Sequence, residues 1–77
     1  MIDFEKIKNS YVATIHIGME CGAEYKEAKQ GNELLHRFCE NLVENENYNE
    51  LARRDMKREL QQIKEMLAQE IEVRYGG

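Results

Sequence analysis

Ala52, Met56, Leu60, Ile63, Leu67 and Ile71 follow one another at steps of four, four, three, four and four. That spacing draws one apolar line along an α-helix and would scatter over both faces of a strand. A helix with such a line has to bury it, so the chain must supply other helices to pack on it. Asn47, with Glu50 three residues later, has the form of a capping box and predicts a start near Tyr48. Gly76 and Gly77 predict the end. The expected element, 48–74, is roughly 40 Å long at 1.5 Å per residue. Glu50 stands four residues before Arg54, an orientation that favours the helix slightly.

A second helical pattern covers 22–44. Tyr25, Ala28, Leu35, Phe38 and Leu42 line one side, and Leu34, Cys39 and Val43 widen the stripe. Gly31 interrupts it, at about 1 kcal/mol relative to alanine. Either the helix restarts at Asn32, or the glycine lets another backbone come close. The connection Asn45-Glu46-Asn47 is short and polar, which predicts antiparallel neighbours, an αα-hairpin. In 3–19, Phe4, Ile7, Tyr11, Ile15 and Met19 fit a helix, whereas the run Val12 to Ile17 is rich in β-branched residues and also suits a strand. No second strand offers itself as a partner, so a short N-terminal helix is expected. The fold class expected is all-α: one domain over 1–77, an antiparallel hairpin with an N-terminal helix, assembling into an oligomeric bundle.

Size supports the assembly. A domain of 77 residues buries only about 60% of its unfolded surface and usually needs a staple. Cys21 and Cys39 could form one bridge at most. The start Met1-Ile2-Asp3-Phe4-Glu5-Lys6 has no signal-peptide pattern, and no apolar run approaches the length of a membrane span. A cytoplasmic location with reduced thiols is therefore expected, and self-association is the remaining staple. The absence of proline, with 34% charged and 42% hydrophobic residues, suits helices. A net charge of −4 disfavours a broad nucleic-acid surface and leaves room for a local basic pocket.

The chain offers little for catalysis. Ser10 and Thr14 are the only serine and threonine, and neither has an evident base beside it. His36 and Cys39, three apart, have a spacing zinc accepts, with His16 and Cys21 as completing ligands. The plainer alternative is a core cysteine and a histidine at the core edge. Glu20, Glu24 and Glu27 would share one face of a continuous helix, as magnesium-binding carboxylates do; in a chain with 15 acidic residues a solvated face is the commoner outcome. Neither a metal nor a cofactor is assigned, and no catalytic residue. Arg53, Arg54, Lys57 and Arg58 could grip phosphates or pair with Glu50, Asp55 and Glu59. Tyr11 and Tyr25 with Lys26 and Lys29 would suit a nucleotide pocket, and equally a helix interface with snorkelling lysines.

Tyr11 ahead of the hairpin, Lys26, the run Glu27-Ala28-Lys29-Gln30-Gly31-Asn32-Glu33-Leu34, and Ala52-Arg53 heading the last helix give a resemblance. The chain resembles the helical-hairpin nucleotide sponges with which phages counter CBASS and Thoeris immunity. It lacks that family's Arg-Trp and Thr-x-Leu-Gln motifs and has Asp55-Met56-Lys57-Arg58-Glu59-Leu60 in that region. The resemblance implies a non-enzymatic homo-oligomer that sequesters a cyclic nucleotide signal at its subunit interfaces. By that resemblance Tyr11 would stack on the base while Lys26 and Arg53 or Arg54 would hold phosphates, and the candidate ligand-binding residues are Tyr11, Lys26, Lys29, Arg53 and Arg54. The alternative function is a small regulator that presents a helix face to a host protein. Neither reading involves duplex nucleic acid or a membrane.

Overall fold

The computed structural model describes residues 3–76 as three α-helices, α1 Phe4–Glu20, α2 Tyr25–Asn45 and α3 Glu50–Gly76. No strand occurs among the described residues. The β-branched run lies wholly inside α1. There Thr14 turns its hydroxyl back onto the Ser10 carbonyl at 2.7 Å, so its polar atom is satisfied within the helix. Asp3 caps α1 by accepting the Glu5 N–H at 3.1 Å.

The helix boundaries differ from the predicted ones at the start of α2 and at both ends of α3. Gly22, expected to open the second helix, instead closes the first. Its φ of 96° is the left-handed conformation that a side chain resists, and Ala23 N–H returns to the Gly18 carbonyl at 3.0 Å. The second helix starts three residues later, where the Glu27 carboxylate accepts the Glu24 N–H at 2.9 Å. The cap of α3 is Asn49 rather than Asn47: its side-chain oxygen takes the Ala52 N–H at 2.8 Å. At its far end α3 runs through Gly76, and Gly77 lies outside the described residues. α2 does not restart at Gly31, and the nearest atom to a Cβ built there would be Ile15 Cδ1 at 3.8 Å, an ordinary contact.

Helix directions follow from the side-chain pairs. Tyr25 meets Glu72, Glu33 meets Lys64 and Glu44 meets Arg53, so α2 and α3 run antiparallel. Lys8 pairs with Glu59 and His16 with Glu70, so α1 and α3 run parallel. The core lies between the three, with Ile7, Tyr11, Ile15 and Met19 from α1, Ala28, Cys39 and Val43 from α2, and Leu60, Leu67 and Ile71 from α3. None of the described helices is long and apolar enough to cross a membrane.

One buried hydrogen-bond chain ties all three helices. The Tyr11 hydroxyl donates to Asn32 Oδ1 at 2.5 Å, and Asn32 Nδ2 donates to the Lys64 carbonyl at 3.1 Å. Both side chains are buried, so each bond replaces water that has been excluded. Its geometry sets the vertical register of the helices, which apolar contacts alone leave free to slide.

Candidate functional site

The expected stripe on α2 is rotated in the fold. Ala28, Asn32, His36, Cys39 and Val43 are buried, Leu35 and Leu42 are half-buried, and Leu34 and Phe38 remain 60% and 58% exposed. The cause is the width of the apolar arc. Two neighbouring helices cover one side of α2, and the residues beyond that side are left facing out.

Between α1 and α2 this produces a groove of about 300 Å³, lined mainly by Ile7, Tyr11, Leu35, Phe38 and Leu42. Lys6, Ser10 and Thr14 form its α1 rim. Leu34 stands one helical turn from Phe38 and extends the apolar surface outward. The groove floor includes Cys39, whose thiol is held neutral because burial pushes its pKa above the ordinary 9.0.

The five residues expected to hold an anionic nucleotide are not brought together within one chain. Tyr11 is 1% exposed, its hydroxyl is engaged by Asn32, and its ring offers no face for a base to stack on. Burial, with smaller contributions from Cys39, Glu33 and Glu40, also raises its hydroxyl pKa above the ordinary 10.0. Lys26 and Lys29 stand at the start of α2, and Lys29 Nζ lies 4.9 Å from the centre of the Tyr25 ring. Arg53 and Arg54 stand at the start of α3, at the opposite end of the antiparallel pair, about 27 Å along the helix axis from Lys26.

At that end Arg53, Arg54 and Lys57 converge with Glu44 and Glu50 on a cavity of about 350 Å³. Glu44 reaches in from α2, contacting Lys57 and lying 3.7 Å from Arg53. The basic patch is thus partly neutralised by a carboxylate from its neighbour.

The metal alternatives fall apart in the fold. His16 faces Glu70 at 3.2 Å, Cys21 is exposed at the end of α1, and His36 and Cys39 are buried in α2. Among the described residues His36 Nε2 has no hydrogen-bond partner, and the Glu40 carboxylate lies 3.7 Å from it. Glu20, Glu24 and Glu27 do not share a helix face, because the turn at Gly22 separates the first from the other two. Among the described residues no three His, Cys, Asp or Glu side chains are placed to hold a metal ion.

Asn32 was not expected in the core, because a polar residue interrupts an apolar stripe, whereas His36 lies where the plainer reading set it, at the buried edge of the core. Their positions, four apart and in line with Ala28 and Cys39, were the available signal. Compared with known proteins, the chain matches no described family, no curated protein and no solved structure.

Proposed function

We propose that this chain is a non-enzymatic binding protein whose working surface is the α1–α2 face, and that it acts by docking an amphipathic helix there. The observation that carries this reading is the pair Leu34 and Phe38, largely exposed beside an apolar groove. Apolar surface that is contiguous and concave marks an interaction site, whereas isolated exposed leucines do not. A helix laid in the groove would turn its apolar face toward Leu35, Phe38 and Leu42.

A fluorescent amphipathic helix of leucine and lysine, added to the full chain, tests this by anisotropy. Lysine is chosen because the chain carries a net charge of −4. Leu34→Ser with Phe38→Ser should abolish binding while leaving the circular dichroism of the chain unchanged. Equal binding by the doubly substituted chain would refute the reading.

Sequestration of an anionic nucleotide by a homo-oligomer is the second reading. One observation favours it, the convergence of Arg53, Arg54 and Lys57 on a single cavity. Under it, Lys26 and Lys29 would come from another copy, since their own chain holds them at the far end. A melting-temperature screen against cyclic di- and trinucleotides tests it: a ligand at one hundred times its dissociation constant adds about 2.7 kcal/mol. No rise with any of them would remove this reading.

A further inference from the structure

Glu44 lies in the last turn of α2, where the carbonyl end of the helix already carries partial negative charge. Its own helix therefore disfavours the carboxylate, and α2 has no basic residue in that turn to offset it. Compensation comes from α3. The Glu44 side chain contacts Lys57 and lies 3.7 Å from Arg53. Arg54 and Glu50 line the same cavity of about 350 Å³. Among the described residues Arg54 forms no ion pair, so one guanidinium stands uncommitted beside two cations that share a single carboxylate.

We propose that Glu44 is the built-in occupant of an oxyanion site, displaced from Arg53 and Lys57 by a multiply charged phosphate-type group that also engages Arg54. This rests on the second reading above, anion binding at this cavity, and names what regulates it.

The strength of the existing contact fits displacement. The side chains of Glu44, Lys57 and Arg53 are all partly exposed, and ion pairs so open to water are weak. Glu44 is nevertheless tethered to the site, which gives it a high effective concentration there. A singly charged competitor that makes the same contacts gains nothing over it. An anion with two or more charges does gain, because it reaches Arg54 as well as the two cations Glu44 holds. Arginine adds geometry, since each planar guanidinium can donate two parallel N–H bonds to the oxygens of one such group.

Displacement also has a structural consequence. Glu44 ties the end of α2 to the start of α3, so an anion that replaces it loosens that tie. By reciprocity, whatever strengthens the tie weakens anion binding.

Calorimetric titration of the full chain with inorganic pyrophosphate at low ionic strength tests this. The parent should bind, and Glu44→Gln should bind about fivefold tighter, the upper range for an exposed ion pair. Loss of any nearby negative charge favours an anion, so Glu50→Gln is the control. Glu50 lines the cavity without contacting its cations among the described residues, and its substitution should change affinity far less. Arg54→Gln should weaken binding about tenfold, with helicity by circular dichroism intact because Arg54 is exposed. Adenosine diphosphate titrated alongside separates the sources: tighter binding than pyrophosphate assigns the group to a nucleotide, and equal or weaker binding to a free oxyanion. No binding of either anion by the parent or by Glu44→Gln overturns the proposal, and the second reading then stands or falls on the cyclic-nucleotide screen alone. Binding that survives Arg54→Gln unchanged overturns the site. Equal tightening by Glu44→Gln and Glu50→Gln overturns the displacement and leaves the anion reading standing.

Discussion

Replacing Tyr11 with phenylalanine removes one oxygen atom from the interior and nothing else. In the folded chain that oxygen donates to Asn32 Oδ1 at 2.5 Å and approaches the Asn32 carbonyl at 3.2 Å. Asn32 is itself 3% exposed, so no solvent stands ready to take the place of the hydroxyl. The loss therefore has two parts: the net hydrogen bond, about 1 kcal/mol, and part of the desolvation penalty of a buried acceptor left unpaired. Together they give about 2 kcal/mol. In a domain of 60–100 residues each kcal/mol shifts the melting temperature by about 4–8 °C, so Tyr11→Phe should lower it by about 8–16 °C. Thermal denaturation followed at 222 nm reads this directly. Adding Asn32→Leu to Tyr11→Phe should cost less than the sum of the two single changes, because neither polar partner is then left stranded. A Tyr11→Phe chain that melts within about 2 °C of the parent would refute the claim that this bond sets the helix register.

Two further predictions concern pH and the α3 cap. Burial raises the Tyr11 hydroxyl above its ordinary 10.0, so the folded chain retains a proton that the unfolded chain releases at high pH. Stability from this group is full below about pH 10 and is lost as pH climbs through and beyond that value, at no more than about 1.4 kcal/mol per unit. Urea midpoints at about pH 9 and about pH 11 should therefore fall further in the parent than in Tyr11→Phe; equal falls would exclude Tyr11 as the titrating group. Asn49→Ala should cost about 1 kcal/mol by removing the acceptor of the Ala52 N–H, whereas Asn47→Ala should leave the urea midpoint unchanged. The reverse order would place the start of α3 two residues earlier.

Periodicity made three helices and their approximate spans readable from the sequence, because 3.6-residue repeats survive even where local propensity argues otherwise. The run Val12 to Ile17 illustrates this: its β-branched residues favour extension, yet Ile7, Tyr11, Ile15 and Met19 share one buried helical line. Helix ends were less legible. Asn47 and Asn49 both lie between α2 and α3, and the one that caps is decided by backbone conformation rather than by residue type. Gly22 was misread for a related reason, since a glycine fits the end of one helix as well as the approach to the next.

The direction in which α2 faces was the largest loss. Leu34, Leu35, Phe38 and Leu42 span an arc too wide to be covered by two neighbours, and the sequence does not say which part stays open. Asn32 broke the expected stripe, although a buried asparagine with partners on both adjacent helices belongs in the core as surely as a leucine. The expected ligand residues separated because charge and ring character describe a side chain and say nothing of its depth. Tyr11 lies inside, and Lys26 and Arg53 are held apart by the length of α2.

Hydroxyl-radical footprinting of the full chain with and without the probe helix tests the working face most directly, because it reads side-chain exposure at named residues. Leu34 and Phe38 should lose reactivity when the probe helix is added, while Met66 and Val73, also exposed on α3, stay constant. Protection appearing at Met66 and Val73, with Phe38 reactive throughout, would place the interaction on α3 and contradict the account.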